Sequence, residues 1–489
     1  MCIVMFFKEL TSYVLTKSIC LEFRALRWFG QPTAATHPHL LKEGEVTLGI
    51  SKTEYKSRRT KLFELAKENF KNVSLVKNHI LILPSATKLY MTNDIPYQFR
   101  QNSDFLYLTG FQEPDSLLVL HTSPDDSHDY HSVLFVPKKD PMKELWDGPR
   151  SGVEGARWLT GIEEVYNSEE LERFCGDFCK RMGHFALWYN YMKPVHLEFD
   201  ASVLRHFLKE KRHQFLETTV HLCQKLRVIK SQAEIELMSK SCQVASNAFA
   251  DVMKFSYPEV KESYLHAKMD FECRMRDAQF LAYPPVVAGG NRANTIHYIS
   301  NDQIIYGGEL VLMDAGCEYF GYTSDISRTW PVSGKFNAAQ QSLYEAVLFV
   351  QESCIAMCTT NHSLDEIYRK MLELIGHQLK KLGLISAKMK DVEMLKVSRE
   401  FCPHHVGHYL GMDVHDTSEI PRSIKLQPGM VITIEPGIYI PETNTSVRTE
   451  FLGMGIRIED NVLITESEPV VLSAACPKTP VDIERVMQR

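Results

Sequence analysis

Five side chains in the C-terminal half of the chain have the chemistry of a metal site. They are four carboxylates and one imidazole: Asp314, Asp325, His408, Glu435 and Glu459. Carboxylate oxygens suit hard divalent cations such as Mn²⁺, and the imidazole widens the choice to Zn²⁺ or Co²⁺. The set contains no thiolate, which argues against a structural zinc site. Because four carboxylates in one cleft would repel one another, bound cations would remove a penalty that the bare cluster carries.

The residues around the first two carboxylates predict neighbouring strands. Residues 309–316 are mostly apolar and end in glycine, which is typical of a buried strand. Residues 319–332 are rich in aromatic and β-branched side chains, which is typical of an antiparallel partner. Asp314 and Asp325 would then lie on adjacent strands, where cross-strand side chains approach closely.

Two later strings place the other carboxylates on strand faces. Thr433 and Glu435 share one face of GMVITIEPG, and Arg457 and Glu459 share one face of GIRIED. For Arg457, a charge-assisted pair that fixes the Glu459 carboxylate is one interpretation, beside a role in the site itself. A single acidic residue on a strand is usually solvated or salt-bridged. Apolar strands that carry several acids are rare unless these are paired or bind metal, so the whole set favours a metal site.

Four strings resemble those of the pita-bread metallopeptidases, which include methionine aminopeptidase, prolidase and aminopeptidase P. They are MDAGCEYFGYTSDISRTWP, HHVGHYLGMDVHD, VITIEPGIYI and GIRIED. Residues 91–120 are similar to the N-terminal domain of bacterial-type aminopeptidase P, and LWDGPRSG and AYPPVVAGGNRANTIHY are similar to the mitochondrial branch of that family. The resemblance runs from about residue 45 to the end of the chain.

The resemblance implies an α/β (α+β) fold in two domains. An N-terminal α/β creatinase-like domain would span residues 46–215, and a C-terminal pita-bread catalytic domain would span residues 225–489. The length of 489 residues is compatible with two or three domains. Helices are expected within residues 48–72, from the capping residue Ser231 to about residue 253, and over residues 337–358 with Asn337 as the capping residue.

The resemblance also implies how the site would work. Two divalent cations, Mn²⁺ by resemblance, would be held by Asp314 on one ion, by Asp325 and Glu459 between both, and by His408 and Glu435 on the other. Glu435 would take a proton from the bridging water and return it to the departing nitrogen.

Three further histidines stand at positions that match the family's motif: His297, His404 and His415. We expect His297 and His415 to stabilise the developing oxyanion or hold the proline carbonyl, and His404 to pack beside His408 or orient it. The substrate-binding candidates are Tyr283, Tyr439 and Arg457. For the two tyrosines, aromatic core packing is an equal alternative.

The activity implied is that of a hydrolase, an aminopeptidase acting on peptide or protein N-termini with proline at position two. Ordinary peptidases lose a contact there, because an Xaa-Pro bond has no N–H. Three alternatives remain open. They are a prolidase-like Xaa-Pro dipeptidase, a broader trimming peptidase of imported mitochondrial proteins and, from another class, a non-catalytic adaptor.

Composition limits the partners and the compartment. A net charge of −6 without a basic block argues against nucleic acid or anionic membrane. Twelve cysteines in this length do not form a disulfide framework, and no segment is long and apolar enough for a membrane span. The weakly basic, amphipathic start predicts a targeting extension over residues 1–45 and a mitochondrial location, with the cytoplasm second. The resemblance implies a homodimer.

Overall fold

A computed structural model describes residues 29–72, 76–123, 130–182, 184–201, 203 and 213–488. Within it the chain forms two compact units, which divide between Leu226 and Arg227. Residues 1–28 of the expected targeting extension lie outside the described residues. Residues that follow them are packed into the first unit. Gln31 is buried, donates to the carbonyl of Gly110 at 3.2 Å and accepts from the amide of Gln112 at 2.8 Å.

The first unit combines strands and helices. Its strands are β1 (Glu45–Thr47), β2 (Ile50–Ser51), β3 (Asn78–Pro84), β4 (Leu117–Thr122), β5 (Tyr130–Val136), β6 (Glu164–Asn167), β7 (Phe185–Tyr189) and β8 (His213–Glu217). Its helices are α1 (Lys52–Asn69), α2 (Ser103–Thr109), α3 (Pro141–Asp147), α4 (Gly152–Thr160) and α5 (Leu171–Met182), with a 3₁₀ turn at Ser168–Glu170. Helix α6 (Val220–Arg227) ends at the division between the units.

A mixed sheet forms the centre of the first unit. Its described strands lie in the order β6-β5-β4-β3-β7-β8, with β3, β4 and β5 antiparallel and the outer pairs parallel. All six residues of β4 are buried, as expected for a central strand, and its first four residues are apolar. Helix α1 begins at Ser51, whose hydroxyl accepts from the amide of Glu54. The predicted α/β character and the helix within residues 48–72 are confirmed.

The second unit contains helices around several small sheets. Its helices are α7 (Gln232–Phe255), α8 (Glu262–Arg274), α9 (Ala338–Ile355), α10 (Leu364–Lys381), α11 (Asp391–Phe401) and α12 (Pro480–Met487), with 3₁₀ turns at Gly290–Asn294 and Thr449–Phe451. Its strands are β9 (Val260–Lys261), β10 (Phe280–Leu281), β11 (Val286–Gly289), β12 (Ile304–Ile305), β13 (Leu310–Ala315), β14 (Cys317–Tyr319), β15 (Tyr322–Thr323), β16 (Ile326–Pro331), β17 (Val431–Ile434), β18 (Gly437–Ile440), β19 (Met454–Arg457), β20 (Asp460–Leu463) and β21 (Val470–Val471).

Local capping fixes where two long helices of this unit begin. Helix α7 follows Ser231, and the side chains of Ser231 and Glu234 form a reciprocal capping box. Helix α9 follows Asn337, which forms the same arrangement with Gln340. Both predicted helices are confirmed, including the residues that cap them.

The predicted antiparallel pairing next to Asp314 is confirmed for β13 and β16, but residues 319–332 form the end of β14, β15 and β16 instead of one strand. Strand β13 lies between β11 and β16, and Asp314 stands opposite Ser327 in the antiparallel pair β13–β16. Strand β17 pairs with β20, and β18 pairs with β19. Because all six residues of β16 are buried, polar side chains on this strand must find partners inside the unit.

The described cysteines and helices can be compared with the composition of the chain. Ten cysteines are buried and free, including the pairs Cys175/Cys179 and Cys354/Cys358. No described helix combines the length and the hydropathy needed to cross a bilayer.

Candidate metal centre

Three of the five predicted metal ligands form a compact buried group. Asp325, His408 and Glu459 each offer one ligand atom, and these atoms all lie within 4.8 Å of one another. Within this group, His408 Nε2 lies 3.3 Å from Asp325 Oδ2. This spacing and donor set suit a divalent cation.

Two of these ligands lie directly next to strand ends, and hydrogen bonds tie the third to a strand. Asp325 directly precedes β16, and Glu459 lies between β19 and β20, where its amide donates to the carbonyl of Ser327 at 3.0 Å. His408 is tied to β17, because its amide donates to Thr433 Oγ1 at 3.1 Å and its carbonyl accepts from the Thr433 amide at 2.9 Å.

The other two predicted ligands border this group. Glu435 directly follows β17, and its carboxylate lies 3.7 Å from His408 Nε2 and 3.8 Å from His404 Nδ1. Asp314 lies on β13, opposite Ser327 and next to the segment that carries Asp325. The structure therefore brings all five residues to one place, with Glu435 on the side that also holds His404.

The ionisation of the cluster shows why it is suited to cations. Burial raises the pKa of Glu435 to about 7 and raises that of Glu459 well above its ordinary value, and neighbouring carboxylates add to both shifts. Burial would also lower the pKa of His408, but its hydrogen bond to the Asp325 carboxylate and the charge of Glu435 reverse this and raise it to about 9. Without a cation the cluster must share protons, and divalent cations would replace those protons.

Tyr283 lies between two of the carboxylates. Its hydroxyl is 2.5 Å from Asp314 Oδ1 and 2.5 Å from Asp325 Oδ1. Burial raises the pKa of this phenol well above its ordinary value, so it stays protonated and can donate to a carboxylate. The observed contacts of Tyr283 are with predicted ligands, and its expected part in a proline pocket stays a prediction.

The partner of Arg457 differs from the one expected. The guanidinium donates through Nη2 to Asp314 Oδ2 at 2.7 Å and through Nε to Ser327 Oγ at 2.9 Å. The expected pair with Glu459 is wrong, since Glu459 accepts from the Ser327 hydroxyl at 2.7 Å instead. Two residues that share a strand face need not be partners, and here a residue from β16 lies between them.

These contacts continue to a predicted catalytic histidine. Arg457 Nη1 donates to the Tyr439 hydroxyl at 2.7 Å, and that hydroxyl lies 2.9 Å from His404 Nε2. A continuous hydrogen-bonded chain therefore runs from Glu459 through Ser327, Arg457 and Tyr439 to His404. Arg457 is only 1% exposed, so its guanidinium hydrogen-bonds to protein groups in the interior and not to solvent.

The three predicted histidines surround the cluster. His404 was expected beside His408, but its observed partners are Tyr439 and Glu435, and the ring next to His408 is that of His415, with centroids 4.5 Å apart. Burial lowers the pKa of His404 to about 4 and also lowers that of His415, and nearby His297 contributes to both shifts. At neutral pH His404 is therefore neutral, and both His297 and His415 are exposed at the edge of the site.

Two buried polar residues on β16, Ser327 and Arg328, contact the metal centre but were not predicted as site residues from the sequence. Ser327 connects Glu459 with Arg457, and Arg328 donates to the carbonyl of Glu459 at 2.5 Å and to Asp460 Oδ1 at 2.8 Å. The sequence could have indicated them, because a serine and an arginine stand inside a strand of aromatic and β-branched residues. Polar side chains buried in such a strand need hydrogen-bond partners.

Comparison with known proteins supplies the family. The model of metallopeptidase family M24 matches residues 236–466, and that of the aminopeptidase P N-terminal domain matches residues 55–188. The chain is 50% identical to human Xaa-Pro aminopeptidase 3, over 94% of this chain and 90% of the relative. It is 38% identical to the mitochondrial intermediate cleaving peptidase 55 of Arabidopsis thaliana, over 95% of this chain and 88% of the relative.

Solved structures agree with this assignment. The crystal structure of Icp55 from Saccharomyces cerevisiae has a TM-score of 0.80 at 32% identity, covering 91% of this chain and 99% of that chain. Aminopeptidase P from E. coli with the inhibitor Pro-Leu has a TM-score of 0.81 at 30% identity, covering 90% of this chain and 98% of that chain. The pita-bread fold with an N-terminal α/β domain is therefore the fold of this chain.

Proposed function

Because this chain belongs to the aminopeptidase P family of M24 metallopeptidases, we propose that it releases the N-terminal residue from peptides with proline at position two. It is a hydrolase of the metallo-exopeptidase class. The observation that best supports the proposal is the buried group of Asp325, His408 and Glu459 with Glu435 beside it. Burying this many charged groups lowers the stability of the fold, and a non-catalytic adaptor would gain nothing from them in return.

We further propose that the site holds two divalent cations, with Mn²⁺ as the first choice and Zn²⁺ or Co²⁺ as alternatives. Asp314 would serve one ion, His408 and Glu435 the other, and Asp325 and Glu459 both. The donor set supports this assignment, because hard oxygens dominate it and one imidazole completes it. When bound, the cations would supply the Lewis acidity that turns a water into a nucleophile at neutral pH.

The protein's own groups would then handle the proton. Glu435 stands at the edge of the ligand group, where it can accept a proton from the attacking water and return it to the departing nitrogen. This return is essential for an Xaa-Pro bond, because its leaving group is a secondary amine. His404, His297 and His415 surround the same place and would hold the scissile carbonyl and its developing charge.

Two isosteric variants test the assignment. Glu435→Gln and Asp325→Asn should each lose at least about 10²-fold of turnover on a peptide that begins Xaa-Pro-Yaa-Zaa, measured in Mn²⁺. Glu236→Gln is the matched control, because Glu236 is an exposed acid on helix α7 of the same unit. Wild-type turnover in either site variant would overturn the assignment.

A second candidate function is favoured by one observation. Several relatives are intermediate cleaving peptidases, including that of Arabidopsis thaliana at 38% identity. A trimming peptidase would also cleave N-termini that lack proline at position two, whereas a prolidase would cleave only the dipeptide. Three peptides separate the candidates: Xaa-Pro, Xaa-Pro-Yaa-Zaa and Xaa-Ala-Yaa-Zaa.

We propose a mitochondrial location, supported by the mitochondrial relative named above and by the weakly basic start of the chain. Because Gln31 packs into the first unit, we place the end of the leader before residue 29. A fusion of residues 1–28 to a fluorescent protein should enter mitochondria. Cytoplasmic fluorescence would contradict this proposal.

We also propose a homodimer, in which an apolar surface of the first unit is covered by a second copy. This surface consists of residues 89–97 and helix α3, joined by a 2.6 Å ion pair between Lys88 and Asp147. Its exposed members are Leu89, Tyr90, Met91, Ile95, Tyr97, Met142, Leu145 and Trp146. So large an exposed apolar patch usually marks an interface. Trp146→Glu should produce monomers in sedimentation, while Val392→Glu, at a residue 85% exposed on helix α11, should not.

A further inference from the structure

The loop that carries His415, residues 411–417, is anchored by hydrogen bonds near both of its ends. At its start, the amide and the hydroxyl of Thr323 both donate to the Gly411 carbonyl, at 2.9 and 2.8 Å. Near its end, the amide of Asp416 donates to the carbonyl of Tyr409 at 3.0 Å. These contacts fix the backbone on both sides of an exposed side chain that must keep a defined place beside His408.

This loop contains a strained residue. Thr417 has a φ of 45°, a left-handed conformation that a β-branched side chain rarely adopts. Its hydroxyl is buried and makes no hydrogen bond with any described residue. Such a conformation persists only where the surrounding structure enforces it, and conformations of this kind concentrate at functional sites.

A buried cluster of charges includes Asp416, which lies directly beside this residue in the chain. Arg227 donates to Asp413 Oδ2 at 2.6 Å and pairs with Asp416, and Lys230 Nζ lies 3.4 Å from the second oxygen of Asp416. The side chains of Lys230 and Asp416 are each 1% exposed, and that of Arg227 is 6% exposed. Burying so many charges costs stability unless their geometry is well satisfied, so their arrangement is closely specified.

The neighbouring backbone leaves room for this cluster only because of a glycine. A Cβ on Gly411 would lie 2.3 Å from Asp416 Oδ2, so the carboxylate sits where any larger residue would place its side chain. The aspartates of the charge cluster, the strained threonine and the glycine thus all lie within four positions of His415 in the chain.

We propose that Arg227, Lys230 and Asp416 form a clamp that holds His415 in its working position beside the metal centre. The clamp rests on the peptidase function proposed above and deepens it. The three residues are positioning residues, because their charged groups pair with one another and with Asp413. Their effect on catalysis would pass through the imidazole of His415.

A double-mutant cycle tests this dependence. Asp416→Asn should lower kcat/KM roughly tenfold in the wild-type background and less than about twofold in the His415→Ala background, because the clamp has nothing left to position there. Arg227→Lys provides a second variant that keeps the charge, since the shorter lysine side chain cannot place its nitrogen where Arg227 Nη2 contacts both Asp413 and Asp416. It should show a smaller loss with the same dependence on His415.

Controls separate positioning from general damage. Asp251→Asn removes an Arg–Asp pair of 2.6 Å, formed with Arg276 elsewhere in the same unit, and should leave kcat/KM unchanged. Mn²⁺ affinity, measured by titration calorimetry, should stay within twofold of wild type in Asp416→Asn. Equal losses of kcat/KM in both backgrounds, or a parallel fall in Mn²⁺ affinity, would overturn the clamp. A wild-type protein without activity on any Xaa-Pro peptide would refute the proposed function instead.

Discussion

Ser327 is a small buried residue that bonds two charged side chains of the metal centre. Its hydroxyl donates to Glu459 at 2.7 Å and accepts from Arg457 Nε at 2.9 Å, and the residue is fully buried. Ser327→Ala removes both hydrogen bonds and changes little else in volume. We therefore expect a local effect on the metal centre and on stability.

The size of this effect follows from the charges involved. A hydrogen bond to a charged group contributes about 1.5–3 kcal/mol, and the buried Nε–H of Arg457 would be left without a partner, so the free energy of unfolding should fall by about 2–3 kcal/mol. Arg457 keeps its bonds to Asp314 and Tyr439, which limits the loss. Residues that orient a metal ligand typically matter by 10- to 100-fold in affinity, so Mn²⁺ should bind more weakly by roughly that factor.

Two measurements check these magnitudes. Denaturant unfolding without metal gives the stability change, and calorimetric titration with Mn²⁺ gives the affinity. Ser327→Thr keeps the hydroxyl and should restore most of the affinity. Ser398→Ala is the matched control, because this buried serine donates only to the Met394 carbonyl of its own helix. Wild-type affinity in Ser327→Ala, together with an unfolding free energy equal to that of Ser398→Ala, would refute the reasoning.

Three further predictions concern the whole protein. Removing divalent metal with a chelator should lower the thermal midpoint, and Mn²⁺ at 100 times its dissociation constant should restore about 2.7 kcal/mol; an unchanged midpoint would contradict a metal site. Gly407→Ala places a Cβ 1.9 Å from the Thr433 carbonyl, so denaturant unfolding should show a loss on the order of 3 kcal/mol. Gly307→Ala, with its nearest atom at 3.7 Å, should change little. Burial lowers the pKa of His79 from 6.5 to about 4, so the native state refuses a proton that the unfolded chain accepts. The free energy of unfolding therefore has its full value above pH 6.5. It falls by about 2–3 kcal/mol as the pH falls towards 4, because the unfolded chain binds a proton that the native state does not. Acid unfolding of His79→Gln should lack this loss.

The sequence predicts those features of the fold that depend on local patterns. Strands β13 and β16 follow from an apolar run and an aromatic, β-branched run. The starts of α7 and α9 follow from Ser231 and Asn337, because a capping box joins residues only three positions apart.

Contacts between distant segments could not be predicted in the same way. Alternation along GIRIED correctly places Arg457 and Glu459 near one another, but it cannot show that Ser327, from another strand, lies between them. Likewise, a tyrosine between two carboxylates resembles any aromatic residue of the core in the sequence. The partners of Tyr283 and Arg457 depend on tertiary packing, which spacing does not encode.

The separation of the ligands along the chain has a consequence for folding. Asp314 and Glu459 are 145 positions apart (459 − 314), and the group also needs His408 from a third segment. Closing such long loops costs entropy that only completed strand pairing repays. A cation therefore finds its site late, after the β-strands of the second unit have assembled. Bound metal should therefore slow unfolding and change the folding rate little, because its ligands come together only after the folding transition state.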